Sequence, residues 1–171
     1  MNSDAAIPQL LLKLIEKLRD ELHQYGEMLA LLEQQQESVM ARAADDVLNS
    51  VAAINEQMNN VQAARLERES CQNEIARNLR QPAQTGFAQL IPLLPEKFRV
   101  AIETLVHENN ELLGRVQRRA RQNHLLLSRS LQMMQQFMNT LIPANPPTTY
   151  NGEGNLQSTP KAAQLLYEGV G

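Results

Sequence analysis

Proline placement constrains the fold of this chain more than any other feature, because proline disrupts the interior of a helix. No proline occurs between Pro8 and Pro82, or between Pro95 and Pro143. Each of these two tracts contains a single glycine and is rich in Leu, Ala, Gln, Glu, Arg and Met, which favour helices. We therefore predict long helical arms joined by a proline-containing loop at 82–95.

The first tract places apolar residues at alternating steps of four and three, which is the spacing of a coiled-coil seam. Its predicted seam contains Leu11, Ile15, Leu18, Leu22, Tyr25, Leu29, Leu32, Gln36, Val39 and Ala43. The rhythm then slips by one residue and resumes at Val47, Val51, Ile54, Met58 and Val61. Because a single helix would leave this seam uncovered and Asp45 and Asp46 suit the start of a new helix, we predict a tight turn at 42–46.

The third arm begins at Pro95, since proline is well tolerated in the first turn of a helix. Its predicted seam contains Phe98, Ile102, Leu105, Asn109, Leu112, Val116, Ala120, Asn123, Leu127, Met134, Phe137 and Leu141. Proline also disfavours helix at the residue before it, so the arm is predicted to end before Pro143.

Together the arms predict an all-α fold, an elongated antiparallel three-helix coiled-coil-like bundle over residues 1–142. The predicted helices lie near 8–42, 46–80 and 95–141. Residues 143–171 change abruptly to a composition rich in Pro, Gly, Asn and Thr. They are expected to form a flexible tail, with a short amphipathic helix at 161–168 as its one candidate element.

The titratable residues predict no catalytic, metal or cofactor site. His23, His107 and His124 are far apart in sequence, and no Glu-x-x-His pair of the di-iron kind occurs. The single cysteine, Cys71, lies in a polar helical stretch that predicts an ordinary packed residue. The chain also lacks a glycine-rich phosphate loop and a nucleophile motif, so we predict that it is not an enzyme.

The charge and hydropathy of the sequence bear on its partners and on its location in the cell. Sixteen basic and nineteen acidic residues give a net charge of −3, which argues against a general nucleic-acid partner. The longest apolar run before Lys13 is three residues. A secretory leader needs about seven apolar residues and a membrane span about twenty. We therefore expect a soluble cytoplasmic protein without membrane insertion.

Four arginines, Arg115, Arg118, Arg119 and Arg121, form a basic cluster on the third arm. They either contact RNA or an acidic lipid, or form a solvated helix face whose guanidinium groups pair with glutamates of a neighbouring helix. No aromatic residues interleave with them to stack on bases, which favours the second interpretation.

Two asparagines, Asn109 and Asn123, lie two heptads apart on the predicted seam of the third arm. Buried asparagines fix the register of coiled coils at a cost in stability. These two either specify register alone, or also keep the third helix loosely packed so that it can exchange partners.

The end of the third arm has more apolar surface than one seam needs. Met133, Met134, Phe137 and Met138 cover a wide arc of the helix. Methionine-rich surfaces suit adaptable recognition of other helices. We therefore expect another protein to cover part of this surface.

The order of these elements is similar to that of a known family. The residues that carry the likeness are Glu21, Tyr25, Leu29, Leu32 and Glu33 in the first arm, Asp45, Asp46, Leu48 and Arg65 in the second, and Asn109 and 123–127 in the third. The most specific segment, Thr-Tyr-Asn-Gly-Glu-Gly at 149–154, is similar to a short Tyr-x-x-x-Gly tail motif. The chain thereby resembles the FlgN family of flagellar type III export chaperones, over nearly its whole length.

The resemblance implies a chaperone that binds the C-terminal helical region of flagellar hook-associated (hook–filament junction) proteins. It would prevent their premature assembly and deliver them to the type III export gate. With the apolar breadth of the third arm, the resemblance points to a client-binding surface made of Leu127, Leu131, Met134, Phe137, Met138 and Leu141. It also points to Tyr150, in the tail motif, as the residue that docks at the export gate.

Two other classes of function stay open. The first is a coiled-coil scaffold or adaptor, as a homo-oligomer, whose apolar seam is covered without any exchange of clients. The second is an RNA-binding helical adaptor that uses the arginine cluster and whose affinity depends strongly on salt.

Overall fold

The computed structural model describes residues 3–141, 149–150 and 156–157, with side chains from residue 7 to residue 140. Its α-helices are α1 (Ser3–Met40), α2 (Ala44–Asn78), α3 (Phe87–Leu90) and α4 (Glu96–Leu141), and a 3-10 turn, Ile91–Leu93, follows α3. Two short strands, β1 (Thr149–Tyr150) and β2 (Leu156–Gln157), pair antiparallel. The predicted all-α class is confirmed, and none of the described helices is long and apolar enough to cross a bilayer.

The chain divides into two compact units, residues 1–127 and residues 128–171. The first unit contains α1, α2, α3 and most of α4. The second contains the end of α4 and the two strands. The short helix expected at 161–168 lies outside the described residues.

The turn between α1 and α2 lies at 41–43, at the edge of the segment where the change of rhythm predicts it. Arg42 adopts a left-handed conformation with φ of 57°, and the amide of Ala43 donates to the carbonyl of Ser38 at 3.0 Å. Asp45 and Asp46 occupy the first turn of α2, where their charges favour the positive end of the helix dipole. The backbone thus reverses without a glycine, at the cost of one strained residue.

α1 presents a broad buried face because it has a neighbouring helix on two sides. The predicted seam residues are buried or half-buried along its whole length. A second buried row lies beside the seam at a spacing of seven residues and contains Leu14, Glu21, Met28 and Gln35. Rows of this kind widen the apolar stripe beyond a two-stranded coiled-coil seam, as expected for a helix packed between two others.

α1 and α2 run antiparallel. In successive hydrogen bonds between them, the residue number decreases on α1 and increases on α2. The bonded pairs are Gln35 with Ser50, Gln24 with Gln57, Glu21 with Arg68, and Leu10 with Cys71. α4 runs parallel to α1, because Asn109 bonds Leu18 and Asn123 bonds Leu32 at the same sequence offset of 91.

The predicted seam of α2 is wrong at two positions. Val51 is 42% exposed and Met58 is 54% exposed, whereas the preceding residues, Ser50 and Gln57, are buried. α1 supplies hydrogen-bond partners that offset the cost of burying these polar groups. The Nε2 of Gln35 donates to Ser50 Oγ at 3.1 Å, and the Nε2 of Gln57 donates to the Gln24 carbonyl at 3.0 Å. The buried row continues at Ala64 and Cys71, each seven residues further along.

The segment expected to be a loop at 82–95 contains α3 and the 3-10 turn, and it supplies core residues. Leu90 and Leu94 are each 2% exposed. The Nε2 of Gln72 donates to the carbonyl of Thr85 at 2.7 Å, which ties this segment to α2. The main apolar cluster combines Leu11, Leu14, Ile15 and Leu18 of α1 with Cys71, Ile75, Leu94 and Ile102.

Candidate protein-binding surface

α4 repeats one seam along its entire length, at alternating steps of four and three residues. The seam contains Ile102, Val106, Asn109, Leu113, Val116, Ala120, Asn123, Leu127, Ser130, Met134, Phe137 and Leu141. Up to Leu127 all of these except Ala120 are buried or half-buried. From residue 128 to residue 140 every residue of α4 is exposed. The sequence pattern of a buried helix face therefore continues where the face is no longer buried.

Four residues of the predicted client-binding surface are exposed apolar side chains. Their exposed fractions are 65% for Leu131, 63% for Met134, 61% for Phe137 and 47% for Met138. Leu127 is half-buried, and Leu141 ends the helix with its side chain outside the described residues. Spacings of four, three and four residues bring Leu127, Leu131, Met134 and Met138 onto one helix face, with Phe137 beside them.

The surroundings of this apolar face are polar but almost uncharged. Between residues 128 and 141 the polar residues are Ser, Gln, Asn and Thr, and Arg129 is the one charged residue. An apolar stripe flanked by neutral amides can bind the apolar face of another amphipathic helix. Such binding would depend on buried area rather than on charge.

The structure places Tyr150 in β1, opposite Leu156 of β2. The motif residues 151–154 that connect the strands, and the side chain of Tyr150, lie outside the described residues. The tail that was expected to be flexible thus includes a short antiparallel pairing, and a docking role of Tyr150 stays a prediction.

The two seam asparagines of α4 bond to α1 in the same way. The Nδ2 of Asn109 donates to the Leu18 carbonyl at 3.0 Å, and that of Asn123 donates to the Leu32 carbonyl at 2.7 Å. Because a backbone carbonyl only accepts, these contacts fix the orientation of both amides. Each Oδ1 atom is buried without a hydrogen-bond partner among the described residues. The identical offset supports the register interpretation, and loose packing of α4 stays a hypothesis.

Replacing Asn109 with leucine is expected to raise the free energy of unfolding by about 1–2 kcal/mol, because the substitution removes a buried unsatisfied oxygen. The carbonyls that lose its amide, those of Leu18 and Leu105, keep their own helical bonds. The matched substitution, Asn123→Leu, should bring no gain, because it leaves the buried Oε1 of Gln35 without its donor. Urea unfolding of both variants measures the difference, and equal effects would contradict this account.

The arginine cluster differs from the paired helix face that we favoured from the sequence. Arg119 lies 3.4 Å from Glu33 and bonds the side-chain oxygen of Gln36. Arg115, Arg118 and Arg121 are exposed, as expected of a solvated helix face, but among the described residues they form no ion pair, so the expected pairing with glutamates is wrong for these three. Three of the arginines instead line a cleft of about 170 Å³ between α1 and α4, which we call the arginine cleft. Its lining residues are Leu29, Glu33, Arg115, Arg118, Arg119 and Gln122.

A buried charged cluster lies between α1 and α2, where the spacing of residues along the chain predicts none. Glu21 is only 3% exposed, and its carboxylate accepts a bond of 2.8 Å from Arg68 Nε and one of 2.9 Å from the Tyr25 hydroxyl. Burial, together with the charge of Glu21, raises the pKa of Tyr25 to about 12. The one available signal was the position of a glutamate four residues before a seam tyrosine, which gives no indication of its partner on α2.

Among the residues that the structure describes, the remaining reactive groups do not assemble into a site. The Sγ of Cys71 is buried and donates to the Leu10 carbonyl at 3.6 Å, and burial raises the pKa of this thiol, which disfavours the nucleophilic thiolate. His107 lies 3.5 Å from Glu111 on an exposed face of α4. Within the described part of the chain, no group of three or more His, Cys, Asp or Glu residues could hold a metal ion.

Comparison with models of known protein families identifies a family for this chain. A family model described as FlgN protein matches residues 10–158, which is most of the chain and includes both asparagines, the end of α4 and the two strands. No curated protein and no solved structure matches the chain.

Proposed function

The chain belongs to the FlgN family, a family of flagellar export chaperones, and from this premise we propose that it binds the C-terminal helical region of a flagellar hook-associated protein. Bound client is held back from premature assembly in the cytoplasm. The complex then delivers its client to the type III export gate. The protein acts by binding and release, without catalysis and without a cofactor.

The observation that carries this proposal is the exposed apolar face at the end of α4. Leu131, Met134 and Phe137 each expose more than three fifths of their surface. Contiguous apolar surface of this kind marks a site of association with another molecule. Methionine and phenylalanine side chains can adapt to the apolar face of a client helix.

The helix that carries this face, α4, also packs against α1 in its first part. We propose that α1, α2 and α4 together form the elongated three-helix bundle expected from the sequence, with α2 antiparallel to the other two. The apolar cluster, the polar bonds of α2 and the asparagines of α4 all hold neighbouring helices to α1. These contacts order the helices up to residue 127, and the helical backbone of α4 continues from there through the proposed client-binding face.

Calorimetry with a C-terminal helical fragment of a hook-associated protein tests the proposal. We expect binding with a negative heat-capacity change, because apolar surface is buried. A fragment from the middle of the same protein is the matched control and should not bind. Absence of binding by both fragments, together with a stable dimer in sedimentation, would instead support the homo-oligomeric scaffold.

Replacing Tyr150 with alanine tests the proposed docking at the export gate. Client affinity should stay unchanged, because Tyr150 lies outside the face of α4. Secretion of the client should fall severalfold, since a tyrosine anchor contributes about 2 kcal/mol or more to a contact of this kind. A secretion assay and calorimetry of client binding, run together, distinguish the two steps. Unchanged secretion would remove the docking role, whereas lost client affinity would assign Tyr150 to the client surface.

A further inference from the structure

The arginine cleft plays no part in the proposed function, and its composition indicates a ligand. We propose that it binds a carboxylate group from an acidic peptide segment of a partner protein. The arginines of the cleft would hold the carboxylate, and the apolar side chain of Leu29 would contact the methylene groups that carry it.

The first argument is the balance of charge. Arg115, Arg118 and Arg119 line the cleft together with one carboxylate, that of Glu33. Spacings of three and four residues place these arginines on the same side of α4. Convergence of like charges is unfavourable unless an anion offsets it. Arg115 and Arg118 have no ion pair in the described part of the chain, so their guanidinium groups are free for a ligand.

The second argument is the weakness of the internal pair. The Nη2 of Arg119 lies 3.4 Å from the Oε1 of Glu33, and their side chains are 31% and 47% exposed. A charge-assisted bond between arginine and a carboxylate is normally about 2.7–2.9 Å long. A carboxylate from a partner can therefore replace Glu33 at Arg119 and also reach Arg115 or Arg118.

The third argument concerns the kind of anion. The volume of about 170 Å³ suits a single oxyanion with its adjoining carbons. Small-molecule sites are typically about 300–1,000 Å³, so a nucleotide would not fit inside the cleft. None of the lining residues is aromatic, and recognition of single-stranded nucleic acid usually relies on aromatic stacking. A carboxylate also has the same charge as the Glu33 group that it displaces.

The probe is a short peptide of alternating glutamate and alanine with blocked termini. The full-length protein is titrated with this peptide at about 20 mM salt, because charge interactions are weakly screened there. We expect this peptide to bind and its glutamine counterpart not to bind. Arg115→Gln and Arg118→Gln should each weaken binding about three- to fivefold. Arg121→Gln removes the same charge from the same helix outside the cleft, and it should change affinity less than about twofold.

Glu33→Gln gives a result of the opposite sign. It removes the internal competitor, so the acidic peptide should bind about threefold more tightly. All the substituted side chains are at the surface or half-buried, and unchanged helicity by circular dichroism checks the fold.

Three outcomes would overturn the proposal. Equal weakening by Arg115→Gln, Arg118→Gln and Arg121→Gln would mean that overall charge, rather than the cleft, attracts the peptide. Inorganic phosphate that binds as tightly as the peptide would mean a site for a free anion. A single-stranded oligouridine that binds more tightly, and loses affinity in Arg118→Gln, would mean a nucleic-acid partner. Client binding by the end of α4 is measured separately, so failure of one proposal does not imply failure of the other.

Discussion

Replacing Glu21 with alanine is expected to lower the free energy of unfolding by about 3 kcal/mol. The side chains of Glu21 and Arg68 are 4% and 14% exposed, so the substitution leaves a nearly buried guanidinium without its main partner. Breaking a buried ion pair from one side typically costs about 3–5 kcal/mol. Arg68 keeps its bond of 2.9 Å to Gln72 and lies 3.7 Å from Glu69, which places the expected loss at the lower end.

Urea unfolding followed by circular dichroism measures this loss, and a second ion pair supplies the control. Lys17 and Glu67 also connect α1 with α2, at 2.6 Å, but Glu67 is 59% exposed. Glu67→Ala should therefore cost less than about 1 kcal/mol. Replacing both Glu21 and Arg68 with methionine should recover much of the loss, because no unpaired charge stays buried. Equal losses for Glu21→Ala and Glu67→Ala would show that burial of the first pair has no energetic importance.

The double substitution of Phe137 and Met138 by aspartate is expected to weaken client binding at least about a hundredfold. Each aspartate would bring a carboxylate into an apolar contact, and an unpaired buried charge is strongly unfavourable. A loss of about 2.7 kcal/mol, modest for two central contacts, already corresponds to a hundredfold change in the dissociation constant. Calorimetry with the C-terminal helical fragment of the client measures it.

Leu125→Asp is the matched control for this variant. Leu125 is 57% exposed and lies nine residues before Met134, so the two side chains point to opposite sides of α4. Its substitution adds a carboxylate to the same helix but should change client affinity less than about twofold. Because Phe137 and Met138 are exposed, the double variant should keep its helicity. Loss of affinity in Leu125→Asp alone would place the client on the opposite face.

Apolar periodicity predicted the helical class and most of the buried faces of α1 and of α4 up to Leu127, because most of the residues that pack there are apolar. In α2, apolar character and burial do not coincide. Ser50 and Gln57 are buried since α1 offers them hydrogen-bond partners, whereas Val51 and Met58 point outward. A sequence pattern based on hydropathy selects the wrong residues wherever polar groups pair across an interface.

The spacing of charged residues along the sequence likewise does not predict which of them form pairs. The burial of Glu21 depends on Arg68, which is 47 residues away, and no local pattern connects them. The sequence favours pairing of the arginine cluster with glutamates, yet in the described part of the chain Glu33 is the one glutamate that forms an ion pair with it. The packing of the helices determines which charged residues pair, so the spacing along one helix cannot predict the pairs. The apolar excess at the end of α4, in contrast, was visible in the sequence because it needs no partner within the chain.

The bonds between helices also set an order of assembly on the ribosome. Those that join α1 to α2 connect residues 15, 33, 47 and 61 positions apart, whereas the bonds from the asparagines of α4 to α1 connect residues 91 apart. The entropic cost of closing a loop rises with its length, and a nascent chain grows by only about 5–20 residues per second. We therefore expect the hairpin of α1 and α2 to close before α4 has been synthesised. The last helix to emerge then docks on a finished template, and its apolar end is the final part of that helix to appear.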